Sequence, residues 1–276
     1  MPDLDAPGAA QPGADRPRGA KYILTCLAIG LLAGMLSGLF GVGGGTVIVP
    51  LLVLVLAFNQ RIAAGTSLAA IVPTASVGVI SYALNDSVAW IPGLLLAAGA
   101  VVGAQIGTWL LPRVSLIALR WTFIVFLAAV IVSLFLVIPS RDAGLPLNVW
   151  SIVGLVLLGL VTGTVSGLIG VGGGIVVVPA LMLVFGTSDL IAKGTSLLMM
   201  IPTAISGTVG NIRRGNVDLL AAAVIGVAAC TTTALGAWVA TIVDPFWGNV
   251  LFALFLVFIA VQMGVRTVRQ ARSARG

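Results

Sequence analysis

The sequence predicts an all-α integral membrane protein: a tandem inverted-topology repeat of about 10 transmembrane segments, five plus five, with glycine-broken short helices. Composition is the first ground. Residues are 59% hydrophobic and 8% charged, with a mean hydropathy of +1.19, more apolar matter than the surface of a water-soluble globule carries. An internal repeat is the second. Gly34–Pro50 (GMLSGLFGVGGGTVIVP) returns 129 positions later as Gly163–Pro179 (GTVSGLIGVGGGIVVVP), with 12 identities in 17 residues. The register then runs on without a gap through Gly65-Thr66-Ser67-Leu68 and Gly194-Thr195-Ser196-Leu197, and through Pro73-Thr74-Ala75 and Pro202-Thr203-Ala204. Charge is the third ground, and it speaks to topology.

Residues 1–20 are rich in Ala, Pro and Gly and begin acidic, which suits a disordered cytoplasmic tail better than a cleaved signal. Repeat 1 occupies residues 21–138, with apolar segments at about 22–40, 46–58, 62–84, 88–111 and 116–138. An external linker follows at 139–149. Repeat 2, residues 150–265, matches with segments at about 150–169, 175–186, 191–210, 217–242 and 247–264. The second segment of each set is short: about 13 residues span about 20 Å against a hydrocarbon core of about 30 Å. Such a segment crosses with help from extended backbone or re-enters without crossing. Residues 266–276 carry four arginines and no acid, a basic cytoplasmic tail expected against anionic lipid rather than nucleic acid.

Lys and Arg collect on the cytoplasmic side of span ends. With ten crossings and the N terminus inside, the inner side holds Arg16, Arg18, Lys21, Arg61, Arg113, Arg120, Arg213, Arg214 and the four C-terminal arginines, leaving Arg141 and Lys193 outside. Re-entry of the short segments would move Arg61, Arg113 and Arg120 outward and weaken the bias. Equivalent loops also swap charge: Arg61, Arg113 and Arg120 correspond to Leu190, Ile242 and Asn249, while Arg213 and Arg214 correspond to Leu84 and Asn85. The two copies therefore read as oppositely oriented, with both termini cytoplasmic.

The candidate site starts at the glycines. Gly41, Gly43, Gly44 and Gly45, with Gly170, Gly172, Gly173 and Gly174 in the copy, should break the helix, since each interior glycine costs about 1 kcal/mol relative to Ala. Pro50 and Pro179 follow; because proline is at ease in a first helical turn, residues 46–49 are expected to be extended, with a half-helix starting near Pro50. Glycines permit the positive-φ turns that converge N–H groups on an anion, and a half-helix N terminus adds positive partial charge. The alternative is tight interhelical packing. Thr66, Ser67, Thr195 and Ser196 are expected in first turns, donating to an anion or bonding back to a carbonyl one turn earlier. Lys193, whose counterpart is Ala64, either attracts the anion or snorkels to the interface. Pro73 and Pro202 mark a second break or hinge. Ser37 and Ser166 read as small packing residues, Asn211 as a helix cap, and Cys26 and Cys230 as neither disulfide nor metal ligands.

What is missing narrows the chemistry. There is no His and no Glu, and the aspartates all fall in tails or predicted loops, so no buried acid relay is expected. No nucleophile–base pair, P-loop ending or redox motif exists, so neither an enzyme nor a cofactor is expected.

At the paired G-x-x-x-S-G-L-[FI]-G-V-G-G-G-x-[VI]-x-V-P stretches and the paired G-T-S-L stretches, the chain resembles the TauE/SafE family of sulfite and organosulfonate exporters over about residues 22–264. The resemblance implies a duplicated membrane fold and transport of a small sulfur-containing anion, with Gly41–Gly45, Gly65–Ser67, Gly170–Gly174 and Gly194–Ser196 at the site. Lys193 alone breaks the symmetry. The expectation is a cytoplasmic-membrane exporter working by alternating access. An anion channel for sulfate-like or carboxylate anions, or a non-catalytic membrane partner in sulfur metabolism, stays open. Expected partners are the anion and the bilayer, with a homodimer compatible with so many small residues.

Overall fold

The computed structural model describes residues 19–110, 128, 131–132 and 148–273. Among them the helices are α1 (Ala20–Phe40), α2 (Gly45–Leu54), α3 (Gln60–Ala83), α4 (Trp90–Leu110), α5 (Val149–Ile169), α6 (Gly174–Val184), α7 (Asp189–Ile212), α8 (Leu219–Ile242) and α9 (Pro245–Ser273). Six of these, α1, α3, α4, α5, α7 and α8, are long and apolar enough to cross a membrane; α2, α6 and residues 246–262 of α9 are shorter apolar stretches. Of the expected segments, the tail at 1–20 up to residue 18, the span at 116–138 apart from residues 128, 131 and 132, and the linker at 139–149 up to residue 147 lie outside the described residues.

The long helices are apolar all round, and large side chains such as Leu24, Leu32, Leu94, Trp150, Leu157 and Leu254 face outward, as lipid contact requires. Their buried faces carry small residues at every fourth position. Gly30, Gly34 and Gly38 of α1 lie on Ile225, Ala229 and Thr233 of α8, where a Cβ would strike backbone carbonyls. Gly159, Gly163 and Gly167 of α5 lie in the same way on Leu96, Ala100 and Ala104 of α4. Removing side chains at that spacing lets two backbones approach, which is how helices gain packing energy where no hydrophobic effect drives them together. The consequence for architecture is that the halves interlock. The first helix of each repeat packs along the fourth helix of the other.

Polar ties fix which ends lie together. The Tyr22 hydroxyl of α1 donates to Asp218 Oδ2 (3.1 Å), and the Asp218 N–H donates to Thr66 Oγ1 (2.9 Å), joining the starts of α1, α3 and α8. The Ala89 N–H donates to Thr195 Oγ1 (3.0 Å), joining the start of α4 to the start of α7. Gly194 packs on Tyr82 and Ser87 at the end of α3, and Gly65 on Asn211 and Asn216 at the end of α7. Helices α3 and α7 therefore run antiparallel through the centre.

Two local expectations are corrected. Residues 46–49 are helical, because the left-handed turn is complete at Gly44 (φ 71°) and α2 starts at Gly45; Pro50 sits inside the helix, where its missing N–H affects only the carbonyl of Thr46. Pro73 and Pro202 likewise lie within continuous α3 and α7 rather than at breaks. The Thr74 and Thr203 hydroxyls beside them donate to the carbonyls of Ala70 (2.8 Å) and Met199 (2.7 Å), adding bonds to the ladder next to each proline.

Candidate functional site

Both glycine runs turn the chain through the left-handed region that side chains resist. Gly41, Gly43 and Gly44 have φ of 68°, 72° and 71°; Gly170, Gly172 and Gly173 have 81°, 87° and 85°. Gly41 N–H closes α1 on Ser37 O (2.8 Å), and Gly170 N–H closes α5 on Ser166 O (2.7 Å). Helices α2 and α6 then begin in the protein interior with no side-chain cap, whereas Asn59, Asn148, Ser188 and Asp218 cap α3, α5, α7 and α8. In each short helix the third and fourth N–H groups bond the capping glycine's carbonyl. Those of Gly45 and Thr46, and of Gly174 and Ile175, have no acceptor within their own helix and carry its positive end.

The two runs meet. A Cβ on Gly45 would fall 2.8 Å from Val171 O, and one on Gly174 2.8 Å from Gly41 O. Each run also rests on the long helix of the other repeat: a Cβ on Gly41 would lie 2.6 Å from Lys193 Cα, and one on Gly170 2.5 Å from Ala64 Cβ. Ile71 and Met200, both fully buried and 129 positions apart, are wedged between them. Met200 touches Gly43, Gly172 and Gly174, and Ile71 touches Gly43, Gly45 and Gly172. Chemistry alone could not single out this pair, since apolar residues in apolar helices carry no signal except their shared register.

The hydroxyls divide into two kinds. Thr66 and Thr195 accept from Asp218 and Ala89, so both serve as joints between helices. Ser67, Ser196, Ser37 and Ser166 are buried, and their oxygens have no hydrogen-bond partner among the described residues. Other hydroxyls in these spans, including Ser76, Ser81, Thr164 and Thr233, bond the carbonyl four residues earlier. Ser37 and Ser166, expected as packing residues, are therefore members of a symmetric orphan set. Thr46 adds a fifth such hydroxyl in the first turn of α2, where the counterpart is Ile175. A buried hydroxyl without a partner costs about 1–3 kcal/mol; Thr187 and Thr208 are unpartnered too, and what sets the four serines apart is that they recur at matched positions of the two repeats.

Lys193 neither snorkels nor stands alone. It is 5% exposed, and its Nζ donates to Asp189 Oδ2 at 3.2 Å; Asp189 is 3% exposed and opens α7. The expectation that every aspartate sits in a tail or loop is corrected at Asp189, whose i,i+4 spacing to Lys193 was the readable sign of a pair on one helix face. Asn211 is also buried rather than a surface cap, with its Nδ2 on Gly207 O (2.8 Å). Its counterpart Tyr82 reaches across to Gly38 O (2.7 Å), a link between α3 and α1 not foreseen from the sequence. Cys26 and Cys230 are free thiols, and no cluster of metal-ligating side chains occurs among the described residues.

This arrangement gathers uncharged hydrogen-bonding groups in the interior of a bundle of membrane-length helices. Comparisons with known proteins agree in kind. The family model for the sulfite exporter TauE/SafE matches residues 7–150 and 155–276. The probable membrane transporter protein YunE of Bacillus subtilis is 29% identical over 218 residues, covering 70% of this chain and 80% of that protein. YdhB of the same organism, also a probable membrane transporter protein, is 30% identical over 190 residues, 68% of this chain and 78% of its own length. A probable membrane transporter protein of Haemophilus influenzae is 30% identical over 267 residues, 88% and 98% of the two chains. No solved structure matches. Duplicated glycine loops, the apolar multi-span helices and the family match lead to one conclusion: the chain belongs to the TauE/SafE family of membrane transporters.

Proposed function

We propose that the protein exports a small oxyanion, sulfite or an organosulfonate, across the cytoplasmic membrane by alternating access. The observation that carries this reading is the pair of buried helix N termini without side-chain caps, in a bundle whose buried Ser37, Ser67, Ser166 and Ser196 hydroxyls have no hydrogen-bond partner among the described residues. Uncharged donors suit a solute that must also leave, because a fixed cation would bind it too tightly for turnover. Thr66 and Thr195 hold the loops' supports in place, and Lys193, neutralised by Asp189, biases the local field.

The reading includes five-plus-five inverted topology. It is supported by the gathering of the α1, α3 and α8 starts at one side, next to Lys21, Arg61, Arg213 and Arg214, while α4 and α7 start at the other. The chain between α1 and α3 must then recross, short helix and glycine turn together supplying the length. Because the repeats interlock, the rocking bodies are not the sequence halves. They are α1, α2, α3 and α8 against α4, α5, α6 and α7, pivoting on the antiparallel α3–α7 contact, with Pro73 and Pro202 as the hinge residues within those two helices. Ile71 and Met200 between the loops favour such a carrier over an open channel.

Export needs no coupling ion, since each negative charge leaving an inside-negative cell gains about 2.3 kcal/mol per 100 mV. The test is efflux of sulfite and of sulfoacetate from proteoliposomes under an imposed potential. Wild-type protein is expected to speed efflux of at least one, and Ser67→Ala with Ser196→Ala to slow it by about tenfold or more, the value of a hydrogen bond to a charged group. Wild-type vesicles no leakier than empty ones to either anion would sink the proposal.

A further inference from the structure

The orphan hydroxyls do not form one ring. Ser196 lies four residues before Met200 on α7, and Ser67 four residues before Ile71 on α3, so each shares a helix face with the side chain that touches the loops and sits about 6 Å out from it. Ser37 precedes Gly41 by one turn, and Gly41 rests on Lys193, three residues before Ser196. Since α1 ends where α7 begins, stepping back along one and forward along the other places Ser37 and Ser196 at one level of the bundle. The same register places Ser166 and Ser67 at one level beyond the Gly170–Ala64 contact. Between the two pairs lie Ile71 and Met200.

We infer that the protein has two anion stations about 12 Å apart, not one central site, and that the Ile71–Met200 pair is the barrier between them; the inference rests on the transport reading above. The station at the Gly41 loop combines the free N–H groups at the start of α2 with Ser37, Ser196 and Thr46. The station at the Gly170 loop combines those at the start of α6 with Ser166 and Ser67. Each offers a small oxyanion hydroxyl and amide donors and no cation of its own, apart from the paired Lys193 beside the first. The solute would pass from one station to the other when the apolar pair yields. Met200 is the half that yields, because an unbranched thioether with three rotatable bonds adapts where β-branched Ile71 is stiff. An apolar constriction between polar stations is a sufficient barrier to an ion that must shed its hydration.

Equilibrium binding of radiolabelled sulfite and sulfoacetate to the purified full chain, with efflux measured on the same preparations, tests this. Wild-type protein is expected to bind two equivalents of the transported anion per chain, the second about tenfold weaker because two like charges about 12 Å apart repel through the protein interior. The Gly41 station, with its extra hydroxyl, takes the first. Ser37→Ala with Ser196→Ala should remove the tighter equivalent and leave the weaker; Ser166→Ala with Ser67→Ala should do the reverse. Met200→Ala should keep both and raise passive leak by about tenfold or more. One equivalent per wild-type chain, with efflux intact, overturns the two stations and leaves transport standing, a result that depends on no variant folding. Absence of both binding and efflux overturns the two together.

Discussion

At the Gly41 loop the neighbouring helix presents Lys193 with Asp189 one turn behind it; at the Gly170 loop the equivalent positions hold Ala64 and Gln60. Backbone geometry, loop-to-loop contact and the serine pairs are shared by the two regions, whereas the buried charges, Thr46 against Ile175, and Tyr82 against Asn211 are not. What both loops have in common is what a duplicated fold needs in order to form twice. Where they differ, one side of a nearly symmetric machine is made electrically distinct from the other. A carrier with identical stations would treat both membrane faces alike; the ion pair removes that equivalence.

The comparison can be broken most forcefully at the ion pair. Lys193→Ala leaves Asp189 buried without its partner and should cost about 3–5 kcal/mol, seen as a large fall in thermal stability of the detergent-solubilised protein. Copying the other loop by combining Asp189→Gln with Lys193→Ala should recover most of that loss; failure to recover would mean the pair does more than neutralise itself. Next in size are Gly41→Ala and Gly170→Ala. Each forces a side chain into the left-handed region, at about 1–2 kcal/mol, and into the backbone of α7 or α3, at about 1–3 kcal/mol more. The two variants should melt within a few degrees of each other, since the new Cβ meets the same three atoms in each case, Cα, Cβ and the carbonyl O of Lys193 or of Ala64. Thr66→Val and Thr195→Val should each cost about 1–3 kcal/mol by leaving the Asp218 or Ala89 amide without its acceptor, again as an equal pair. Smallest is Tyr82→Phe, about 1 kcal/mol for the bond to Gly38 O. Its counterpart Asn211 bonds within its own helix, so Asn211→Leu should change stability by less.

Much of the frame was legible because the duplication is long and gapless, and because a run of four glycines in five residues leaves the backbone little choice. The breaks at Gly41–Gly45 and Gly170–Gly174, and the start of α3 just before Gly65, follow from local rules. Partnership does not. Small residues every fourth position in α1 announce a close neighbour without saying that it is α8, nearly 200 residues on. Residues 46–49 mislead because proline is at ease in a first helical turn, whereas the left-handed turn is already complete at Gly44 and the helix starts five residues ahead of Pro50. Asp189 reads as loop because charge is rarely buried, and its partner four residues later outweighs that prior. Thr66 and Ser67 differ by one position and by role: the first accepts from the residue that caps α8, whereas the second has no hydrogen-bond partner among the described residues, a difference that no spacing rule contains.

The interlocking of α1 with α8 has a consequence for synthesis. At about 5–20 residues per second, the glycine stripe of α1 waits about 10–40 s for its mate to leave the ribosome. During that interval its carbonyl-lined groove faces lipid or the insertion machinery, while α4 and α5 have already paired. The nascent chain thus pairs helices from its middle first and closes around its own beginning last.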